Sequence, residues 1–175
     1  MRNATLVCVA FAMTLGLGAI GCGGDDTSDG TAVCPTDSAD KPAAAHFKAD
    51  VLPILQRSCG LAMTCHGDSS SPTTALGYQP YLGPPMTVTP TDADIMQIFT
   101  VIKDKTSKAE TDMKIVASGD AAKSFLMHKL DGLCSKSLTC GDKCGTSMPQ
   151  SAGSLLSEAE RDKFRGWIAA GANND

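Results

Sequence analysis

The residues best suited to chemistry lie in one short segment, Cys59-Gly60-Leu61-Ala62-Met63-Thr64-Cys65-His66-Gly67. Two thiols followed directly by an imidazole is the order used for covalent haem attachment. The thiols add to the vinyl groups, and the adjacent histidine is thereby aimed at the iron. Met148, in Met148-Pro149, offers a thioether for the opposite face of the ring. A His/Met pair leaves no coordination position open and raises the reduction potential, which suits electron transfer rather than oxygen chemistry. The spacing departs from the usual one, because five residues rather than two separate Cys59 from Cys65. The extra residues must bulge without moving either sulfur. Two other arrangements stay open: a Cys59–Cys65 disulfide in a haem-free chain, and haem on Cys65 alone with Cys59 paired elsewhere.

The remaining candidates are weaker. His128 stands beside Met127 and is a second choice to Met148 as a ligand, although a single helical histidine is more often a packing residue. Met63, Met86 and Met96 are expected as core or loop fillers. Cys134, Cys140 and Cys144 with His128 make a zinc site of low rank, and disulfides are the stronger expectation for them, with Cys34 as the fourth partner. Their pairing is not fixed by the sequence. No nucleophile–base constellation, P-loop or dinucleotide fingerprint is present, so no catalytic residue is assigned.

These side chains need a scaffold, and its helices are legible. Residues 43 to about 58 form an amphipathic helix with Phe47, Val51, Leu52, Ile54 and Leu55 on one face, and Pro53 must kink or restart it. Residues 67–90, rich in Pro, Gly and Ser/Thr, form a long loop. A second helix runs from Thr91 to about Lys103, with Asp92 and Asp94 in its first turn and Ile95, Ile98, Phe99 and Ile102 inward. A third spans Asp120–Leu130, burying Phe125, Leu126 and Leu130. Residues 133–153 form a Cys- and Gly-rich loop. The last helix opens on the capping box Ser157-Glu158-Ala159-Glu160, buries Phe164, Trp167 and Ile168, and stops at Gly171. The fold class is therefore all-α: four or so short helices joined by long loops. Loops of this length in a small domain are usually functional. A ligand pocket is expected among Leu52, Leu55, Phe99, Leu126 and Trp167.

The start of the chain reads as an address. Arg2, an apolar run and small residues before Cys22 have the form of a secretory signal peptide over residues 1–21, too short in apolar content for a spanning helix. Ala19-Ile20-Gly21-Cys22 resembles the lipobox of bacterial lipoproteins, which implies lipid attachment at Cys22. The polar stretch that follows has no apolar periodicity and reads as a flexible tether over 22–42, leaving a folded domain over 43–175. Such export favours disulfides. It also places the protein in the cell envelope, on the outer membrane.

With 175 residues the chain has room for one domain, and its formal charge of −4 gives no footprint for nucleic acid. Aromatic residues are only 5%, so the core is not expected to rest on stacked rings.

Four blocks, "VLPILQRSCGLAMTCHG", "GDAAKSFLMHKLDG", "CGTSMPQ" and "LLSEAERDKFRGWIAAGA", resemble the successive blocks of cytochrome c-like domains in exported lipoproteins of myxobacteria and planctomycetes. The resemblance covers about Phe47 to Ala172. It implies one covalent haem c, with Cys59 and Cys65 on the vinyl groups, His66 as proximal ligand and Met148 as distal ligand. It also implies a monomeric one-electron carrier that serves a redox partner protein and has no substrate chemistry of its own. The rival readings are a haem-free, disulfide-stapled binding or structural module and a peroxidase with an open iron position.

Overall fold

The computed structural model describes residues 42–70, 79–135, 137–150 and 153–175. The expected signal peptide, the lipid site Cys22, the tether and Cys34 lie outside these residues. The described residues are helical, and no strand is present among them. Four α-helices follow in order: α1 (Leu52–Ser58), α2 (Asp92–Ile102), α3 (Phe125–Leu130) and α4 (Glu158–Ala169). None of them is long and apolar enough to cross a membrane.

The first expected helix is really two pieces. A π-helical turn, Phe47–Val51, leads into α1, and Pro53 sits in the first turn of α1. Pro53 has no N–H to give to the turn before it, and the chain passes it as a widened π turn that runs on into α1, so the helix continues rather than breaks. The expected third helix is divided as well. A 3-10 turn, Ala121–Lys123, precedes α3, and Ser124 between them is extended (φ −98, ψ 112). The Ser124 hydroxyl donates to the Asp120 carbonyl (2.9 Å) and accepts from the Ala117 amide (2.8 Å), while Phe125 N donates to Lys114 O (2.8 Å). Local side-chain bonding of this kind competes with continuous helix.

α2 and α4 agree with their sequence signals. Thr91 and Asp94 form a capping box on α2, and Ser157 and Glu160 form one on α4. At the far end of α4, Ala172 N donates to Trp167 O (2.9 Å) and Gly171 N to Ile168 O (2.9 Å). This Schellman closure needs a left-handed residue, which Gly171 provides at φ 103.

The core gathers the inner faces of α1, α2 and α4, with Val51, Leu55, Ile98, Ile102, Phe164 and Ile168 at most 1% exposed. Low aromatic content does not keep rings out of its centre. Phe47 meets Phe99 edge-on with centroids 4.7 Å apart, and Trp167 lies 5.3 Å from Phe47 and 6.1 Å from Phe99. Edge-to-face contacts at these distances add to simple burial. The indole N–H donates to Asn173 O at 2.9 Å. The methionines expected as fillers are outside it: Met63, Met86 and Met96 are all exposed.

Between α3 and α4 lies a buried ionic group. The Asp131 carboxylate, fully buried, accepts from Arg161 (2.9 Å) and Arg165 (2.5 Å). Two guanidinium groups around one carboxylate fix the end of α3 against α4.

Candidate functional site

α1 delivers the first cysteine. Cys59 is its C-cap residue, and the amides of Cys59 and Gly60 both donate to Leu55 O at 2.8 Å. The segment then loops outward through Leu61, Ala62, Met63 and Thr64, all exposed. It returns in a turn in which the amides of Cys65 (3.0 Å) and Gly67 (3.1 Å) donate to Ala62 O. At its base His66 N donates to Cys59 O (3.1 Å), so the wide spacing is absorbed by a solvent-facing bulge whose two ends are joined. Gly60 is needed here: a Cβ on it would stand 2.4 Å from the Gly83 carbonyl oxygen. That close approach brings the 79–84 segment alongside.

The same segment orients the imidazole. His66 Nδ1 donates to Pro80 O at 2.7 Å, and Leu82 N donates to His66 O at 2.9 Å. A carbonyl can only accept, so the proton is on Nδ1 and the lone pair is on Nε2. Burial, with the Lys129 ammonium adding to it, holds the His66 pKa below the ordinary imidazole value, against the opposing pull of the Pro80 bond. A neutral imidazole whose second nitrogen is fixed by a carbonyl is the form in which histidine binds metal.

His66 opens into a cavity of about 470 Å³. Its lining includes Cys59, His66 and Met148, with Leu82, Ile115, Phe125, Leu126 and Leu130 as apolar walls. The volume falls within the range of about 300–1,000 Å³ typical of small-molecule and cofactor sites. Of the five residues expected to line a pocket only Leu126 does so. Leu52, Leu55 and Trp167 are buried in the core and Phe99 packs against it, because the helical faces that the sequence marks as apolar turn toward each other. Loops, not helices, supply much of the cavity wall.

Met148 is held at the cavity by α3. Lys129 grips the Met148 loop twice: its carbonyl accepts from Met148 N (2.9 Å), and its ammonium donates to Cys144 O (2.7 Å) and to Thr146 O. Burial lowers the Lys129 pKa from the ordinary lysine value. A second staple comes from Glu110, 3% exposed, in the loop after α2. Its carboxylate accepts from Thr139 N (2.6 Å), Thr139 Oγ1 (2.9 Å) and Cys140 N (2.9 Å). Burial alone would raise the Glu110 pKa; these donors more than offset it, and the pKa lies below the usual glutamate value.

The cysteines divide clearly. Cys140 and Cys144 form a disulfide, and Cys134 is disulfide-bonded too, so these residues are not zinc ligands. Among the described residues no group of three or more His, Cys, Asp or Glu is placed to hold a metal ion. Cys59 and Cys65 are both free thiols, so the bulge is not closed by a disulfide. Burial, with Cys65 nearby adding to it, pushes the Cys59 thiol up to about 12. His128 does not line the cavity; its Nε2 lies 2.9 Å from Ala122 O, and it is a packing residue of α3.

The structure thus brings Cys59, His66 and Met148 together from positions up to 89 residues apart. Pro80, Lys129 and Glu110 were not visible as site residues in the sequence. The one signal available was that Pro80 lies in a loop too long to be a mere connection. No protein-family model matches the chain, and no curated protein or solved structure does either.

Proposed function

We propose that this protein is a cytochrome c-like, lipid-anchored electron carrier of the cell envelope, holding one haem in the cavity between His66 and Met148. The observation that carries the reading is the joint lining of one cavity by a thiol and a neutral imidazole from one short segment and a thioether 82 residues beyond the imidazole. The residues fit the group. His66 offers Nε2 as a ligand, with Nδ1 committed to Pro80. Met148 offers the second ligand, and the apolar part of the wall suits a porphyrin face. Lys108, Lys129 and Lys143 outnumber Asp142 around the lining, which suits the carboxylates of a porphyrin.

When bound, haem supplies reversible one-electron iron chemistry. The chain's own residues do the rest. The Pro80 carbonyl fixes the imidazole, while Lys129 and Glu110 hold the loop that carries Met148. His66 and Met148 would both be available as ligands, an arrangement that would favour electron transfer over peroxidase chemistry. The lipid at Cys22 would keep the carrier at the outer membrane, near its redox partner protein.

The test is the reduced absorption spectrum in alkaline pyridine of the protein produced in an exporting host that carries haem-maturation genes. The sharp visible band of covalent haem is the expected result. A folded protein with no visible absorption would overturn the reading, and the cavity would then belong to a disulfide-stapled binding module.

A further inference from the structure

Given the haem reading, on which this inference rests, one of two sulfurs must hold the group. The two thiols of the bulge are both free, but they differ in position. Cys59 ends α1, is 6% exposed and lines the cavity beside His66. Cys65 is half-buried and is not part of the cavity wall; it sits on the returning limb of the bulge, in the turn closed on Ala62 O. The bond from His66 N to Cys59 O ties the imidazole to the first cysteine across the base of the bulge. The extra residues therefore leave Cys59 and His66 adjacent in space and carry the second thiol away from the wall that they form.

We propose that haem is attached through a single thioether made by Cys59, and that Cys65 stays a free thiol. In the step, the Cys59 S–H adds across one vinyl C=C of a vinyl-bearing iron porphyrin. The S–H bond breaks, Sγ bonds to the vinyl carbon next to the ring, and the hydrogen goes to the outer carbon. No electron is gained or lost, so no oxidant or reductant is consumed, and the second vinyl group remains intact.

The experiment maps the full-length protein from a haem-maturing host. The purified protein is denatured, alkylated with iodoacetamide without reduction and cut with trypsin. Both cysteines fall in the peptide Ser58–Lys103, since cleavage follows Arg57 and Lys103. The expected peptide carries one haem and one carbamidomethyl group, with fragmentation placing the haem on Cys59. Cys65→Ala is expected to keep acid-stable haem at the wild-type ratio, and Cys59→Ala to lose it. If Cys59→Ala does not fold, the wild-type peptide map still decides. Haem on Cys65, two thioethers with no alkylation, or a Cys59–Cys65 disulfide beside non-covalent haem would each overturn the single-thioether assignment and leave the carrier reading standing. A folded wild-type protein with no haem at all would overturn both.

Discussion

At His66 the Pro80 carbonyl accepts the hydrogen bond from Nδ1–H and burial disfavours protonation of the ring, so a single nitrogen is left to act. Met148 lines the same cavity, and on the proposed reading its thioether would be a soft ligand that favours the reduced iron. The two ligands make separable contributions. Met148→Ala leaves Cys59, His66 and the Pro80 bond in place, so haem should still be bound. Its sixth position would then open, the low-spin spectrum should give way to a high-spin one, and the potential should fall by on the order of 0.1 V within the span that axial ligands command. Spectroelectrochemical titration of wild type and variant checks this. An unchanged spectrum and potential would remove Met148 from the ligand set. The order Cys–Cys–His and the Met-Pro pair were legible as residue chemistry. The tautomer of His66 was not, because its partner is 14 residues away in a loop with no periodicity of its own.

The elements divide along the same line between local and distant causes. Apolar periodicity announced α2 and α4, together with the acidic first turn of α2 and the capping box of α4, since these signals act within a few residues. The interruption at Ser124 depends on contacts with Lys114 and Ala117, outside any helical window. The cavity wall was misplaced for the same reason: strongly periodic residues pack helix on helix, and the loops are left to enclose the space. α3 shows what such a short helix is for. From six residues it supplies Phe125, Leu126 and Leu130 to the wall and Lys129 to the Met148 loop. Lys129→Met removes the ammonium bonds to Cys144 O and Thr146 O but keeps the backbone bond to Met148 N. Hydrogen bonds to charged groups contribute about 1.5–3 kcal/mol each, less the desolvation that burial of the lysine costs. A net loss of about 1–3 kcal/mol is expected, concentrated in the loop. Native-state hydrogen exchange should show the Met148 amide losing protection while amides of α4 keep theirs. Equal protection in both proteins would show that the ammonium does not hold the loop.

Over the whole molecule, carboxylates tie together segments that no helix joins. Asp104 accepts from the Ser118 amide, Asp175 from the Phe47 amide, and Glu110 bridges the loop after α2 to the loop that leads to Met148. All three have pKa values below their ordinary ones, the first two chiefly because of those backbone bonds. A carboxyl depressed in the folded state stabilises the fold above its unfolded pKa, about 4.3 for glutamate, and that contribution is lost as pH falls through the folded value. The melting temperature should therefore be flat above about pH 6.5, decline below it as the unfolded chain gains the proton that half-buried His66 resists, and drop further below about pH 4.5 as these carboxylates are protonated. Glu110 is the best single probe, because its carboxylate is the least exposed of these and its donors come from another loop. Glu110→Gln keeps the shape and removes the charge. At neutral pH the variant should be less stable by about 1.5–3 kcal/mol, the value of hydrogen bonds to a charged acceptor. As the wild-type carboxylate becomes protonated in acid, the two proteins should converge. Thermal unfolding from pH 7 down to about pH 3 measures the gap directly. A gap that persists undiminished in acid would mean that Glu110 contributes by shape and not by charge, and that the acid limb of the stability curve belongs to the other carboxylates.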